Sequence, residues 1–346
     1  MNSARSIPEI LQSLAYDGRD FLVVELDGIG LHAVSAAAAH DLVDVVGTIE
    51  EYLDRSDWRV NANANQGYSL GGLILNTSGK MIANYWLSHV YPPEIGQAHR
   101  AGDLHIHDLD MLAGYCAGWS LRTLLNEGLN GVPGKVESAP PKHMSSAVGQ
   151  IVNFLVTLQN EWAGAQAFSS FDTYMAPYVR ADGLDYRQVK QYIQELIYNL
   201  NVPSRWGTQT PFTNLTFDWV CPEDLRDQVP VIAGDEMPFT YGELQAEMDM
   251  INRAYIEGMM EGDGKRRIFT FPIPTYNVTS DFPWNSEIGE LLLELTDRFP
   301  VVLLQGRDGV GMRRSGPVDE DALDFIEGRL STAERLFESI GAVQSV

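Results

Sequence analysis

Residues 84–125 read NYWLSHVYPPEIGQAHRAGDLHIHDLDMLAGYCAGWSLRTLL, and the rest of the chain is interpreted around this stretch. It contains four of the seven histidines and one of the two cysteines. His105 and His107 are separated by one residue, so in an extended strand both imidazoles would project from one face. Cys116 follows, between Tyr115 and small residues that let a ligand or another segment approach the sulfur. The stretch is therefore predicted to be a strand or loop at a functional site.

Three interpretations of these side chains stay open on residue chemistry alone. In the first, Cys116 is a small buried hydrophobe and the histidines are hydrogen-bonded members of the core. In the second, His99, His105, His107 and Asp108 are metal ligands, although no further cluster completes a coordination sphere. In the third, Cys116 is a redox or hydrogen-transfer thiol.

The string GDLHIHDLDMLAGYCAGWSL resembles the corresponding segment of the anaerobic ribonucleoside-triphosphate reductases, which are glycyl-radical enzymes. Other strings resemble the same family in the same order. They are DWRVNANANQGYSLGGL (57–73), GKVESAPPKHMSSAVGQIVNFLVTLQNEWAGAQAFSSFDTYMAPYV (134–179), NVPSRWGTQTPFTNLTFD (201–218) and FTFPIPTYNVTSDFPWNSE (269–287). The resemblance covers roughly residues 50–299, and several long strings in register are far more specific than one short motif.

The resemblance implies an α/β fold, namely the first half of a ten-stranded α/β barrel of the glycyl-radical type. Residues 1–58 are expected to be an N-terminal segment, a remnant of a regulatory ATP-binding region or a connector. Residues 59–299 would form the N-terminal half of the catalytic barrel, and residues 300–346 a divergent tail with an acidic helix over 319–340.

The resemblance also implies a chemistry for Cys116. In the family a thiyl radical abstracts the ribose 3′ hydrogen, a second cysteine supplies a hydrogen as the 2′ hydroxyl leaves, and formate is the reductant. Cys116 matches the second cysteine, beside Tyr115, and His105 and His107 would orient substrate or formate. Such a thiol must lie close to the sugar in a site that excludes water.

A polar segment beyond residue 200 offers further substrate contacts. Arg205, Gln209, Thr210, Thr213 and Asn214 combine a guanidinium with amide and hydroxyl groups, which suits hydrogen bonding to a triphosphate or a ribose. The alternative is a polar turn that satisfies its own backbone. Cys221, which matches nothing in the family, is expected to be structural.

After Phe299 the sequence no longer resembles the family. The thiyl-forming cysteine, the zinc-binding cysteines and the glycyl-radical loop of the family have no counterpart, since no cysteine follows Cys221. No cofactor or metal is therefore expected in this chain. The family's glycyl radical is generated by an activating radical S-adenosylmethionine enzyme, and its zinc lies in the C-terminal part.

Two functions follow as alternatives. The first is a reductase portion that converts ribonucleoside triphosphates with formate, works as a homodimer and needs a separate chain carrying the C-terminal half. The second is a catalytically silent fragment that binds nucleotide or a subunit. The chain alone is expected to be inactive.

Composition limits the other classes of function. The 346 residues carry 47 acidic and 24 basic side chains, a formal net charge of −23, which argues against nucleic-acid binding. A lysine-poor acidic surface is typical of proteins soluble at high salt, so we hypothesise a halophilic source. No long apolar run or signal pattern is present, which predicts a cytoplasmic protein without membrane association.

Periodicity predicts several elements. We expect helices over 35–53, 80–100 up to the Pro92-Pro93 pair, 144–168 and 185–200, and one opened by a Thr240/Glu243 capping box. Residues 59–80 have the composition of a loop, and residues 268–278 that of a strand. The 144–168 and 185–200 helices are candidates for contacts between subunits or half-barrels.

Overall fold

The computed structural model describes residues 21–26, 30–35, 44–55, 67–130, 136–279, 282–298 and 303–306. These residues belong to two compact units. The first is drawn from Met1–Tyr115, Asn160–Gly164 and Pro203–Gln209, and the second from Cys116–Gln159, Ala165–Val202 and Thr210–Val346. The three-part division at residues 58 and 299 stays a prediction from sequence.

The first unit contains a β-hairpin and helices. Its elements are β1 (Phe21–Leu26), β2 (Gly30–Ser35), α1 (Val45–Asp54), α2 (Leu70–Tyr85), a π-helical turn (Trp86–Val90) and α3 (Pro93–Ala101). Strands β1 and β2 pair antiparallel, with Phe21 opposite Ser35. Ser69 caps α2 by accepting a hydrogen bond from the main-chain N–H of Gly72 at 3.0 Å, which satisfies one of the free donors at a helix start.

The π-helical turn and α3 lie close together because of one glycine. A side chain at Gly96 would collide with the carbonyl oxygen of Leu87, so only glycine permits this approach. Arg100, one turn further along α3, donates to Ser88 Oγ at 2.7 Å and to Asn84 Oδ1 at 3.2 Å. Helix α3 then ends at Gly102, which has a left-handed φ of 83°.

The second unit is an α/β structure. Its strands are β3 (Tyr115–Trp119), β4 (Ala163–Phe168), β5 (Thr213–Phe217), β6 (Val231–Ile232), β7 (Asp235–Glu236), β8 (Ile273–Val278) and β9 (Leu303–Gly306). Its helices are α4 (Leu121–Glu127), α5 (Met144–Leu158), α6 (Phe171–Ala181), α7 (Tyr186–Asn199), α8 (Glu223–Arg226), α9 (Gln245–Glu261) and α10 (Glu287–Arg298).

The five-stranded sheet has the order β3-β4-β5-β8-β9. The pairs β4–β5, β5–β8 and β8–β9 are parallel, with helices between consecutive strands in the chain, as expected for an α/β arrangement. Strands β6 and β7 form a separate short hairpin. The α/β class predicted from the sequence is therefore confirmed.

The core lies between the sheet and its helices. Helix α9 packs against α6, α7 and α10, and α5 packs against α7. Helix α7 buries the apolar stripe expected from its period, including Val189, Ile193 and Leu196, all 0% exposed. It starts with the capping box of Asp185 and Gln188, whose side chains each bond to the other residue's main-chain N–H.

Four sequence expectations need correction. The helix predicted over 144–168 ends at Leu158, and Ala163–Phe168 is strand β4, because its Ala/Gly-rich residues fit between neighbouring strands. The Thr240/Glu243 box opens a 3₁₀ turn, and α9 starts only at Gln245. The strand predicted over 268–278 begins at Ile273. Helix α2 begins at Leu70, inside the segment predicted to be a loop.

Other expectations fall partly or wholly beyond the described residues. Residues 36–43 of the predicted 35–53 helix are outside them, although α1 occupies Val45–Asp54. The acidic helix expected over 319–340 lies outside them entirely. Within the described part of the chain, no helix is long and apolar enough to span a bilayer.

Candidate active site

Cys116, on β3, is solvent-exposed and has an unusual backbone. Its φ is +53°, in the left-handed region that residues with a side chain rarely occupy. Its Sγ accepts a hydrogen bond from the main-chain N–H of Ala165 on β4 at 3.3 Å. The interpretation of Cys116 as a small buried hydrophobe is therefore wrong, and the thiol is placed where a ligand can reach it.

The two faces of the five-stranded sheet differ in exposure, and one of them is buried. Leu215 and Phe217 on β5 are 0% exposed, as are Phe168 on β4 and Tyr276 on β8, and the register pairs Phe168 with Leu215 and Phe217 with Tyr276. The rings of Phe217 and Tyr276 are in contact, with centroids 5.1 Å apart. The alternate residues of β4 and β5 project to the other side, which we call the open face.

His105 and His107 lie in an irregular turn after α3 and not in a strand, which corrects the extended geometry predicted for them. Their rings are nevertheless adjacent, with centroids 4.7 Å apart and nearly perpendicular planes. The His99 ring lies 5.6 Å from that of His105. The turn is held because the main-chain N–H of Ile106 donates to Nδ1 of His99 at 3.1 Å.

This hydrogen bond argues against the metal interpretation of the cluster. An imidazole whose Nδ1 accepts a hydrogen bond carries its hydrogen on Nε2, so neutral His99 has no lone pair left for a metal. Burial first, then His105 and Arg100, lower the pKa of His99 below its usual value, which keeps it neutral. No group of three or more potential ligands that could hold a metal occurs in the parts of the chain that the structure describes.

A cleft of about 320 Å³ lies beside this turn in the first unit. Its lining includes Trp86, Tyr91, His107, Asp108 and Met111. The indole of Trp86 donates to the carbonyl oxygen of Met111 at 3.0 Å, which fixes the ring in the wall. His107 therefore faces a space large enough for a small polar ligand.

Arg205 and Gln209 are brought together by a tight turn. The main-chain N–H of Arg205 donates to the carbonyl oxygen of Gln209 at 3.0 Å, around the 3₁₀ turn Trp206–Thr208. The Arg205 guanidinium donates to the carbonyl oxygen of Trp162 at 3.4 Å. The polar-turn alternative is thus correct for the backbone, while the turn also lines a cleft of about 580 Å³ with Ser69.

The predicted site residues are divided between the two units. His105, His107, Tyr115, Arg205 and Gln209 belong to the first, whereas Cys116, Thr210 and Asn214 belong to the second. The proximity of the histidines to Cys116 therefore stays a prediction. Asn214, on β5, donates from Nδ2 to Thr275 Oγ1 at 2.9 Å. Its neighbour Thr213 is 0% exposed, so the prediction that Thr213 contacts substrate is wrong.

Two hydroxyl residues were not predicted as site residues: Thr216, partly exposed on the open face of β5, and Thr275 on β8, which is 8% exposed. They lie opposite each other in the register of β5 and β8, although they are far apart in the sequence. The signal available was weak, namely hydroxyl side chains alternating with apolar ones within two strands.

Cys221 lies in the hydrophobic core of the second unit. Cys221 is 5% exposed, and burial raises the pKa of its thiol to about 11, which makes it a poor nucleophile. The rings of Phe282 and Trp284 are in contact, tilted by 47° with centroids 4.5 Å apart, and Trp284 is half-buried against the core.

A parallel α/β sheet with an exposed cysteine on β3 defines the class: an α/β protein whose thiol is within reach of ligands. The chain belongs to the anaerobic ribonucleoside-triphosphate reductase family, whose model matches residues 62–306. The match continues beyond Phe299 to the end of β9, which is part of the parallel sheet.

Individual relatives support the same family. The chain is 25% identical over 188 residues to the anaerobic ribonucleoside-triphosphate reductase of Escherichia coli K12, covering 46% of this chain and 26% of the relative. It is 23% identical over 189 residues to that of phage T4, covering 46% of this chain and 31% of the relative. The matches thus span about a quarter to a third of these curated relatives.

Solved structures share the fold. The anaerobic ribonucleotide reductase from Thermotoga maritima in complex with dATP and CTP matches with a TM-score of 0.60 and 17% identity, over 90% of this chain and 51% of that one. The same enzyme with glycerol in the active site matches with a TM-score of 0.60 and 18% identity, over 92% and 55% of the two chains.

Proposed function

We propose that this chain supplies the hydrogen-donor side of an anaerobic ribonucleoside-triphosphate reductase, with Cys116 as the donor. The observation that best supports this proposal is the exposed thiol of Cys116 on β3, in a chain of this family. The backbone at this residue is left-handed. A thiol must reach its substrate to deliver a hydrogen, and Cys116 is accessible whereas Cys221 is buried.

The proposed reaction converts a ribonucleoside triphosphate, formate and one proton into the deoxyribonucleoside triphosphate, carbon dioxide and water. Formate is oxidised by two electrons and the C2′ carbon is reduced by two. A glycyl radical, made by an activating radical S-adenosylmethionine enzyme, would supply the initiating thiyl radical. Cys116 would give a hydrogen atom to C2′ once the 2′ hydroxyl has left as water, which leaves a thiyl radical on its sulfur. Formate would return a hydrogen atom to that sulfur and pass its second electron to the sugar, leaving as carbon dioxide.

We assign supporting roles to the remaining site residues. His105 and His107 would orient substrate or formate at the cleft beside their turn, where His107 is part of the lining. Arg205 and Gln209 would bind the triphosphate, and Tyr115, Thr210 and Asn214 would contact the nucleoside. These assignments are supported by residue chemistry and by the family.

We further propose that the catalytic assembly is a homodimer, with α5 and α7 as candidate contacts, and that the sheet is half of a ten-stranded barrel. The parallel order of β4, β5, β8 and β9 is compatible with such a half. The other half of such a barrel would include the thiyl-forming cysteine, as in the family. Sedimentation of a dilute sample tests the dimer.

The test of the function is an anaerobic assay with a ribonucleoside triphosphate, formate and activating enzyme. It is run with and without a chain that carries the glycyl-radical half of a reductase. We expect deoxynucleotide only when that half is present, and none with Cys116→Ala. The matched control is Cys221→Ala, which should retain turnover because Cys221 is structural.

Near-normal turnover by Cys116→Ala would refute the hydrogen-donor role. Lack of turnover in the wild type with every component present would favour the alternative, a binding module without catalysis. Deoxynucleotide made by the 346-residue chain unaided would contradict the need for a partner.

A further inference from the structure

The open face of the sheet differs from the buried face in a way that points to a ligand. Along β5, Thr213, Leu215 and Phe217 are fully buried, whereas Asn214 and Thr216 are partly exposed. A parallel sheet is normally covered on both faces and carries apolar side chains on both. An open face with polar side chains needs another explanation.

The part of the open face formed by Ala165 and Ala167 on β4, which we call the floor, is narrow and lined by small side chains. Ala165 and Ala167 on β4 are both partly exposed, and the register places Ala167 opposite Asn214. Cys116 Sγ lies 3.3 Å from the main-chain nitrogen of Ala165. Strand β4 lies between β3 and β5, so two strand spacings, about 10 Å in total, separate the strand of the thiol from that of Asn214. Only alanine methyl groups project from β4 in this interval, and its width suits one nucleoside.

The far side of this floor presents unused hydrogen-bonding groups. Asn214 Nδ2 donates to Thr275 Oγ1 at 2.9 Å, which leaves the Thr275 hydroxyl hydrogen free to donate elsewhere. Thr216, which is partly exposed, lies directly opposite Thr275, which is 8% exposed, in the register. Among the described residues, neither Asn214 Oδ1 nor the Thr216 hydroxyl has a hydrogen-bond partner. The three side chains together offer donors and acceptors to a ligand with adjacent hydroxyl groups.

We infer that Asn214, Thr216 and Thr275 form a hydroxyl-binding row that holds the sugar of a ribonucleoside triphosphate across β4, facing Cys116. The inference rests on the proposed function and deepens it, because it assigns Thr216 and Thr275 to binding of the sugar. The row contributes to binding of the nucleotide. The alanines at 165 and 167 are required because larger side chains would occupy the place of the sugar.

The experiment measures protection of Cys116 from alkylation by iodoacetamide in the full chain, read by mass spectrometry at each cysteine. Cys221, buried and with a raised pKa, is the internal control and should react slowly throughout. The probes are adenosine, guanosine, cytidine and uridine triphosphates and their 2′,3′-dideoxy analogues. At least one ribonucleotide should protect Cys116, and its dideoxy analogue should protect less.

The variants separate the row from general effects on the fold. Thr216→Val and Thr275→Val remove a hydroxyl while keeping the shape, and each should weaken protection by the ribonucleotide about 3- to 10-fold. Neither should change protection by the dideoxy analogue. The matched control is Thr213→Val, on the same strand but 0% exposed and on the buried face, which should leave protection unchanged. Ala167→Leu should abolish protection by filling the floor, with an unchanged melting temperature.

The outcomes distinguish this inference from the proposed function. If no ribonucleotide protects wild-type Cys116, the row is overturned, whereas the proposed function is decided by the anaerobic assay with the glycyl-radical half present. If ribonucleotides protect the wild type and both valine variants equally, the row is overturned while the function stands. Equal weakening by Thr213→Val would also overturn the row, because that hydroxyl cannot reach a ligand on the open face.

Discussion

The main-chain N–H of Asp218 donates to Oδ1 of Asp172 over 2.9 Å, so the end of β5 is tied to a carboxylate at the start of α6. Asp172 is 0% exposed and accepts three further hydrogen bonds, from the main-chain N–H groups of Thr173 and Trp219 and from Asn252 Nδ2. Asp218 is 2% exposed and accepts from Thr173 Oγ1 at 2.8 Å and from Asn277 Nδ2 at 2.7 Å.

The two carboxyl groups should make stability depend on pH. Burial first, and then the charge of Asp218, raise the pKa of Asp172 to about 7. Between the ordinary pKa of an aspartate and about pH 7, the folded state then binds more protons than the unfolded state. The free energy of unfolding should therefore fall as the pH rises through this window.

The variants Asp218→Asn and Asp172→Asn test this pair. Asp218→Asn removes the like charge, and Thr173 Oγ1 can accept from the new amide, so stability at pH 8 should rise and the pH dependence should become shallower. Asp172→Asn places an amide N–H₂ against main-chain donors and should cost about 1–3 kcal/mol at every pH. Urea unfolding from pH 4.5 to pH 8 measures both, and a loss of stability in Asp218→Asn at pH 8 would contradict the account.

Two buried tyrosines should respond differently to loss of their hydroxyl groups. Tyr255 and Tyr276 are both 0% exposed and both pack on Phe217, with ring centroids 4.7 and 5.1 Å away. The Tyr255 hydroxyl donates to the carbonyl oxygen of Pro272, whereas the Tyr276 hydroxyl has no partner among the described residues.

Tyr255→Phe should therefore lower the free energy of unfolding by about 1 kcal/mol, and Tyr276→Phe should be neutral or stabilising. Each serves as the control for the other, because both keep the aromatic ring. Denaturant unfolding with unchanged slopes gives the two values. Equal losses would mean that the Tyr276 hydroxyl is satisfied in solution.

His99 should stay neutral with its hydrogen on Nε2 down to below pH 6.5. Its pKa is lowered by burial, then by His105 and Arg100, and its Nδ1 is committed to the Ile106 N–H. Long-range ¹H–¹⁵N correlation spectra across pH 5–8 report the tautomer directly. An Nδ1–H tautomer, or a pKa of His99 at or above the usual histidine value, would contradict the geometry.

The His99→Asn and His99→Phe variants separate the hydrogen bond from the ring. Asparagine keeps an acceptor near the position of Nδ1, so slow exchange of the Ile106 amide should be retained, whereas phenylalanine should lose it. Exchange of the Gly72 amide, which is held by Ser69, provides the reference because it does not involve this turn.

Salt should stabilise the chain. With a formal charge of −23, self-repulsion is strong at low ionic strength, and the screening length shrinks from about 10 Å at 0.1 M to about 3 Å at 1 M. We expect a higher urea midpoint in 1 M potassium chloride than in 0.1 M. Sucrose, which stabilises without screening, is the control, and identical midpoints at the two salt concentrations would end the halophilic hypothesis.

Local patterns predicted the fold where a buried face repeats at a helical period, as in α7, which begins at its cap and buries its stripe. They failed at β4, whose open-face residues are alanines, because a strand without large alternating side chains leaves no period-two signal. The HxH pair was found, yet its conformation depends on His99 accepting from Ile106, and a hydrogen bond between separate segments has no local signature.

The candidate site was predicted only in part for a similar reason. Cys116 and Asn214 were predicted as site residues, and both lie in strings of the sequence that resemble the family. Thr216 and Thr275 become a pair only through the register of β5 and β8, which single-sequence patterns do not specify.

Because the backbone at Cys116 is left-handed, any side chain at this position lowers the stability of the fold. Glycine adopts this conformation freely, whereas a residue with a Cβ is disfavoured there by about 1–2 kcal/mol. Under selection for a stable fold alone, random substitution at this codon would move toward glycine, and β-branched residues would be purged. Glycine at position 116 would thus relieve the strain but remove the thiol, so stability and the proposed hydrogen donation make opposite demands on this one residue.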